Sequence, residues 1–341
     1  MTPENLKSYE EIISRFPGAR IAVIGDIVAD QYIYGKPMKL SREAPVLVVR
    51  YDGERLLPGS AGNTILNLAA MGCQVIPISR LGIDSAGATL LSIFRERDIP
   101  TDFIEVTPEI PTTTKMRILA GDDHTSKQQV IRIDKEAPGP FPPEVENRIL
   151  EHIRALADEV DAFLISDYGY QLISGRILEA LKAISEKRFT VVDSRYRLRE
   201  FSGVHVMTPN ESELQMAAGR TAENEAELLD IGRDFYRGLD LEALLVTMGN
   251  HGMALFEDGG EVTRIPIVGS DEIIDVTGAG DTVAALFTLA KVCGATYKDA
   301  ARIANYGGGI VVMKRGAATL TPRELLTFIE SEHVPHGTHR P

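Results

Sequence analysis

Short apolar runs, many of them β-branched, recur along the chain, and each ends in glycine or polar residues. "ARIAVIGD" is the first, and "CQVIPISRLG", "VDAFLISDYG", "RFTVVDSR", "VHVMTPNE" and "LEALLVTMGNHG" repeat its form. A continuous apolar run with polar ends reads as a strand buried on both faces. Between these runs lie stretches with apolar positions at helical spacing, among them "AGNTILNLAAMG" and "SGRILEALKAISEK". Strands alternating with helices predict an α/β fold, a central, mostly parallel sheet with helices on both faces. In such sheets ligands sit beyond the carboxyl ends of the strands, where the polar residues of these runs fall.

Four strand-like segments break the alternation: "DQYIYGK", "APVLVVRYD", "TTTKMRILA" and "KQQVIRID". The last two flank "GDDHTS", which has the composition of a hairpin tip. They predict a small β-sheet lid at about residues 31–56 and 112–135, inserted discontinuously into one domain spanning 1–341. An open sheet of that size is marginal alone, so its apolar face is expected to pack on a second subunit, making a homodimer through the lid. There is no internal repeat or low-complexity segment.

Composition narrows the function classes. A chain of 341 residues, 44% hydrophobic and 25% charged, has the make-up of an ordinary globular protein. Its net charge of −13 argues against nucleic-acid or anionic-membrane partners, so a phosphate-bearing ligand would need a local cluster of cations. Cys73 and Cys293 show no metal-ligand spacing and read as buried thiols. "MTPENLKSYEEIISRF" lacks the basic start and apolar core of a signal peptide, and no apolar run approaches the roughly 18 residues of a membrane span. Together these predict a cytoplasmic location.

The densest chemistry lies in "DVTGAGD", Asp275 to Asp281, followed at once by the helix-like "TVAALFTLAKV". Glycines let bare backbone approach a ligand, and a helix start offers unpaired N–H groups and the positive end of a dipole, which suits a phosphate. Asp281 at its mouth would repel that phosphate unless it took part in the reaction; otherwise it caps the helix. "TPNESEL" places Asn210, Glu211 and Glu213 at another helix start, where carboxylates also suit the dipole. The three glycines of "ARIANYGGGIVV" cost about 1 kcal/mol each relative to alanine in a helix, so a ligand or tight packing must need the space.

"PGSAGNTILNLAAMG" together with "DVTGAGDTVAALFTLA" resembles the two signatures of the ribokinase-like sugar kinases of phosphofructokinase-B type. "GDIVADQYIYG", "LSREAPVLVV", "TTTKMRI", "QQVIRID", "ISDYG" and "TPNESEL" are similar, in order, to bacterial kinases that phosphorylate heptose 7-phosphate at its anomeric position. The resemblance covers nearly the whole chain. It implies a ribokinase-like fold, ATP as phosphoryl donor, Mg2+, and a sugar or sugar phosphate as acceptor. It also implies that the backbone of Gly278, Ala279, Gly280 and Asp281 cradles the transferring phosphoryl group while the Asp281 carboxylate accepts the acceptor proton.

Asn210 and Glu213 fall to the magnesium–water network, Glu213 through a water. Thr247, Gly249, Gly252 and Asn305 fall to the nucleotide side. Asp26, Asp30, Gly59 and Asn63 fall to the sugar, unless Asp26 is an ordinary strand-end turn residue. Asp275 corresponds either to a neighbour of a monovalent cation, K+, or to a loop anchor. The chain departs from the heptose pattern in "SREAP", with Arg42 for proline, in "SDYGYQ", where Tyr170 stands near an absent lysine, and in "DSR", with Ser194 and Arg195 for Pro-Lys. Arg195 is the first candidate for binding an acceptor phosphate and Arg42 the second, unless both are surface charges. No G-x-G-x-x-G follows the first strand and no Walker motif occurs, which disfavours a dinucleotide oxidoreductase and a P-loop kinase. No nucleotidyltransferase domain is apparent after Gly316. Another sugar, a nucleoside, or a non-catalytic sugar-phosphate sensor remain the alternatives.

Overall fold

The computed structural model describes residues 3–41, 43–121, 127–137, 139, 142–269 and 274–332. Arg42 and all but the first residue of the "GDDHTS" tip lie outside them. The strands in chain order are β1 (Arg20–Gly25), β2 (Ile27–Leu40), β3 (Leu47–Ser60), β4 (Gln74–Gly82), β5 (Ile104–Thr107), β6 (Thr114–Ala120), β7 (Gln128–Lys135), β8 (Ala162–Asp167), β9 (Phe189–Ser194), β10 (Val206–Met207), β11 (Ala243–Thr247), β12 (Met253–Glu257) and β13 (Glu261–Ile265). The helices are α1 (Pro3–Ser14), α2 (Ala61–Ala70), α3 (Ser85–Arg95), α4 (Pro143–Leu156), α5 (Gly175–Ser185), α6 (Glu211–Ala218), α7 (Glu225–Gly238), α8 (Ala279–Val292), α9 (Tyr297–Val312) and α10 (Pro322–Ser331).

The central sheet runs β13-β12-β11-β10-β9-β8-β1-β4-β5. It is parallel from β5 to β11, and the hairpin β12–β13 adds an antiparallel edge. All six apolar runs of the sequence are strands in its parallel part. β10 keeps only two residues of "VHVMTPNE", because the chain turns away at Thr208 to start α6. The strands are apolar on both faces because both are covered. In β1, Ile21 and Val23 enter a core shared with α2, α8 and α9, while Ala22 and Ile24 enter one shared with α4, α5 and α7.

The four aberrant segments form a second sheet, β3-β2-β6-β7, reached as the chain leaves β1 and re-entered after β5. Register places Asp30 beside Lys115 and Tyr32 beside Arg117, with Asp134 and Arg132 opposite these two cations. Side chains alternate across a strand, so this charged set shares one face and Met116, Ile118, Ile131 and Ile133 share the other. The charged face looks into the cavity described below. Ile131 and Ile133 on the other are exposed.

Candidate active site

The site is built at the carboxyl ends of β1, β8, β9 and β11, where α8 points its first turn at them. Gly278 is the N-cap of α8, in the left-handed region at φ 79°, and a Cβ there would lie 2.3 Å from Nδ2 of Asn63. Only glycine meets both demands. The N–H of Ala279 is already taken by the Val276 carbonyl at 3.2 Å, which corrects its expected place in the phosphoryl cradle. The N–H groups of Gly280 and Asp281 have no acceptor among the described residues and remain for an anion.

Asp281 is 4% exposed, and its carboxylate does not cap its own helix. Oδ2 accepts from Asn63 Nδ2 at 2.9 Å; Oδ1 accepts from the Tyr168 hydroxyl at 2.8 Å and from Thr64 Oγ1 at 3.3 Å. Burial pushes its pKa up to about 6, against the pull of these donors and of Arg195. A carboxylate offers about four lone-pair sites, two on each oxygen. Both on Oδ1 are used and one on Oδ2 is not. Asn63 and Thr64 belong to the first turn of α2, so the two glycine-rich signatures of the sequence meet at this carboxylate.

A cavity of about 360 Å³ opens in front of Asp281, between α8 and the charged face of the lid. Asp30 is ion-paired with Arg117 there, and Gly59 lies against it: a Cβ on Gly59 would stand 2.0 Å from Asp30 Oδ2. Lys115 lies 5.4 Å from the Tyr170 ring centroid and 6.0 Å from that of Tyr168, and the Arg195 guanidinium lies 4.8 Å above Tyr168. Burial lowers the Lys115 pKa; Asp30 opposes this, and Arg195 and Arg117 add to it. Cations crowd this side of the cavity. On its other wall Asp193 faces Glu213 and Asp281, and burial and then these two carboxylates raise it well above the usual carboxylate range.

Asp26 does not line the cavity. Its oxygens accept the backbone N–H groups of Tyr168 (3.0 Å), Tyr170 (3.1 Å) and Leu172 (3.3 Å), which corrects the expected sugar contact. Three loop N–H groups thus bind this strand-end aspartate, which lies outside the cavity lining and fixes the loop after β8. Asp275 likewise anchors: Oδ1 accepts from Thr277 N and Oδ2 from Gly316 N, each at 2.9 Å. These bonds hold its carboxyl below the usual range although partial burial works against them.

A second cavity of about 420 Å³ adjoins the first and shares Asn210, Thr247, Val276 and Gly280 with it. Gly249, Gly252, Ile267, Val283, Asn305, Gly308 and Val312 complete much of its wall. Asn305 donates to the Pro266 carbonyl at 2.8 Å and so fixes the loop that forms one side. The three glycines of α9 have three different neighbours. A Cβ on Gly307 would meet Leu286 at 1.9 Å and one on Gly309 the Val268 carbonyl at 2.8 Å, whereas Gly308 faces the cavity with Val283 at 3.2 Å. Packing and ligand space both account for the run.

Asn210 and Glu213 form a capping box on α6, Asn210 Oδ1 accepting from Glu213 N at 3.0 Å and Glu213 Oε2 from Asn210 N at 2.9 Å. Glu213 also lines the cavity, and burial raises its pKa despite the bond from Asn210. Among the described residues no three His, Cys, Asp or Glu side chains converge closely enough to ligate a metal directly. Asp193 and Glu213 nonetheless crowd negative charge at one wall, which fits a magnesium ion that keeps most of its waters and is brought by a nucleotide. Asp193, Tyr168, Lys115 and Arg117 were not singled out in the sequence. The polar ends of "VVDSR" and "LISDYG" and the period-2 alternation of "TTTKMRI" were the signals available.

Comparisons with known proteins give the family and the fold. The profile of the pfkB family carbohydrate kinases matches residues 19–324. "Bifunctional protein HldE" of Geobacter sulfurreducens is 36% identical over 330 residues, covering 96% of this chain and 66% of that protein, so the chain spans just under two thirds of the relative's length. Ribokinase of Arabidopsis thaliana, solved with ribose and ATP, superposes with a TM-score of 0.72 at 19% identity, covering 92% of this chain and 99% of that one. Phosphofructokinase-2 of Escherichia coli, in complex with substrates and products, gives 0.73 at 14% identity, with 92% and 99% covered.

Proposed function

Because the chain belongs to the pfkB family of carbohydrate kinases, we propose that it transfers the γ-phosphoryl group of ATP to the anomeric hydroxyl of a heptose 7-phosphate. The observation that carries the acceptor assignment is the pair Lys115 and Arg195 on the acceptor side of the cavity, in a protein of net charge −13. Neither has a carboxylate ion-pair partner within the described residues, unlike Arg117, which is bound to Asp30. An acidic protein that binds a phosphorylated sugar needs such a local surplus of positive charge. The resemblance of "TTTKMRI" and "ISDYG" to the heptose-phosphate kinases points the same way.

The chemistry then follows from Asp281. The acceptor hydroxyl sits against the free lone pair of Oδ2 and gives that oxygen its proton as its own oxygen bonds to phosphorus. The bond from the γ-phosphorus to the bridging oxygen breaks, and ADP leaves with the electron pair. With a pKa near 6 the carboxylate is ionised at neutral pH and ready to accept. The N–H groups of Gly280 and Asp281, at the positive end of α8, face the charge on the transferring group. Asp193 and Glu213 are the residues that would hold a hydrated magnesium ion, whose chemistry is to neutralise phosphate charge. Apolar walls and Gly308 would receive the nucleotide base.

ADP release measured across free and phosphorylated sugars tests the reaction, and Arg195→Ala tests the acceptor. A charge-assisted contact is worth about 1.5–3 kcal/mol, so the variant should raise the apparent constant for a sugar phosphate at least about tenfold while leaving an unphosphorylated sugar nearly unchanged. Equal effects on both acceptors, or none on either, would move the assignment to an unphosphorylated sugar or a nucleoside. The exposed Ile131 and Ile133 support a homodimer through the lid, and sedimentation showing a fully active monomer at micromolar concentration would count against it.

A further inference from the structure

Tyr168 stands where nothing above gives it a task, yet it touches both halves of the acceptor site. Its ring lies under the Arg195 guanidinium at 4.8 Å, and its hydroxyl has Asp281 Oδ1 as its partner at 2.8 Å. Its backbone N–H is held by Asp26 Oδ2 at 3.0 Å, and Asp26 also grips the next turns of the same loop through Tyr170 and Leu172. A buried carboxylate thus fixes the loop, the loop fixes the ring, and the ring fixes the base. Thr64, the other donor to Oδ1, is longer at 3.3 Å, so the phenol is the stronger determinant of how that oxygen sits.

We propose that Tyr168 is a positioning residue for the base: by donating to Oδ1 it locks the Asp281 carboxylate in the orientation that leaves the open lone pair of Oδ2 toward the acceptor, and it favours the ionised form. The proposal rests on Asp281 being the base. Burial first, and then the charge of Asp281, keep the phenol protonated far above neutral pH, so it remains a donor throughout the working range. A donor to the charged form of a carboxyl lowers its pKa. The other charged groups facing Asp281 are Asp193 near the end of β9 and Arg195 just after it, Glu213 on α6, and Lys115 with the Asp30–Arg117 pair on the lid. Asp275, before α8, is bonded to Thr277 and Gly316. All of them are common to the protein and to Tyr168→Phe, so a difference between the two reads the hydroxyl.

Tyr168→Phe removes the hydroxyl and keeps the ring beneath Arg195. The acid limb of kcat/KM against pH should move up by about one unit, which alone costs about twofold at pH 7, and the lost orientation of the carboxylate should bring the fall in turnover to about tenfold, with KM for ATP unchanged. A loss of turnover that leaves the limb in place would mean that Tyr168 only supports the fold, and it overturns the proposal. A second reading needs no acceptor. In protein carrying 13C-labelled aspartate, the Asp281 carboxyl resonance, assigned by its loss in Asp281→Asn, should titrate about one unit higher in the folded Tyr168→Phe variant. An unmoved midpoint overturns the proposal. Failure of the unaltered protein to phosphorylate any sugar counts instead against the proposed function, because the carboxyl titration reports the Tyr168–Asp281 contact whether or not an acceptor is found.

Discussion

On the proposed acceptor side of the site Asp30, Lys115, Arg117 and Arg195 bring four charged side chains around one space; on the proposed nucleotide side Gly308, Ile267, Val283 and Val312 present small and apolar walls. On that reading the first region would distinguish ligands by charge and by where a proton can go. The second would distinguish them by room. That difference follows from which elements build each region. The lid strands and the loops after β8 and β9 carry long polar side chains over the sheet ends, while the wall assigned to the nucleotide is a helix, α9, packed so closely on α8 that a side chain at Gly307 would displace Leu286. A substitution on the charged side should therefore act on turnover, pH dependence or acceptor choice, and one on the apolar side on nucleotide affinity alone.

The sharpest way to break this division is at Asp281. Asp281→Asn keeps the shape and removes the proton acceptor, so turnover should fall by at least about 100-fold while ATP affinity, measured by titration calorimetry, stays within a few-fold. Near-normal turnover by a correctly folded variant would sink the assignment of the base. The unaltered enzyme carries its own check. Burial raises the Asp281 pKa to about 6, so the carboxylate is the active form above that value. kcat/KM should accordingly fall about tenfold per unit as pH drops below about 6 and level off above it. A profile flat down to pH 5 would place the base elsewhere.

How much of this was legible in the sequence also divides along the two regions. The second cavity, which we assign to the nucleotide, has its lining in local patterns: "TGAGD", "TMGNHG" and "NYGGGI" each suggest a close approach of backbone. The structure brings Gly249, Gly252, Asn305 and Gly308 to one cavity. The parallel sheet was equally readable, since strands buried on both faces leave a continuous apolar run. The edge strands β13 and β5 were not, because a strand covered on only part of its surface carries a weaker pattern. The acceptor side depends on side chains that meet only across the fold. Nothing in "GDIVAD" reveals that Asp26 holds the loop of Tyr168 while Asp30, four residues on, reaches the cavity. Nor does "ISDYG" announce that its tyrosine ends on an aspartate 113 residues away. Tertiary hydrogen bonding decided these roles, and single-residue reading at strand ends could not distinguish them. The same holds for Ala279, whose N–H is lost to a carbonyl three residues earlier through the tight turn before α8.

The smallest effect expected is also the one that sharpens the comparison most, because it separates two adjacent glycines. Gly308 faces the nucleotide cavity, and a Cβ there would come within 3.2 Å of Val283 Cγ2, a contact that a small shift relieves. Gly308→Ala should therefore fold normally. Replacing a helical glycine by alanine contributes up to about 1 kcal/mol of helix propensity, which offsets the contact and keeps the melting temperature within a few degrees. The methyl group takes space from the ligand, so KM for ATP should rise a few-fold, with the acceptor constant and the acid limb of the pH profile unchanged. Gly307→Ala is the control. Its Cβ would stand 1.9 Å from Leu286 Cδ1 inside the core between α8 and α9, so the cost falls on stability, about 1–3 kcal/mol, rather than on ATP. If Gly308→Ala changed the acceptor constant as much as that for ATP, the two cavities would not be separate recognition regions, and the division drawn from their linings would have to be given up.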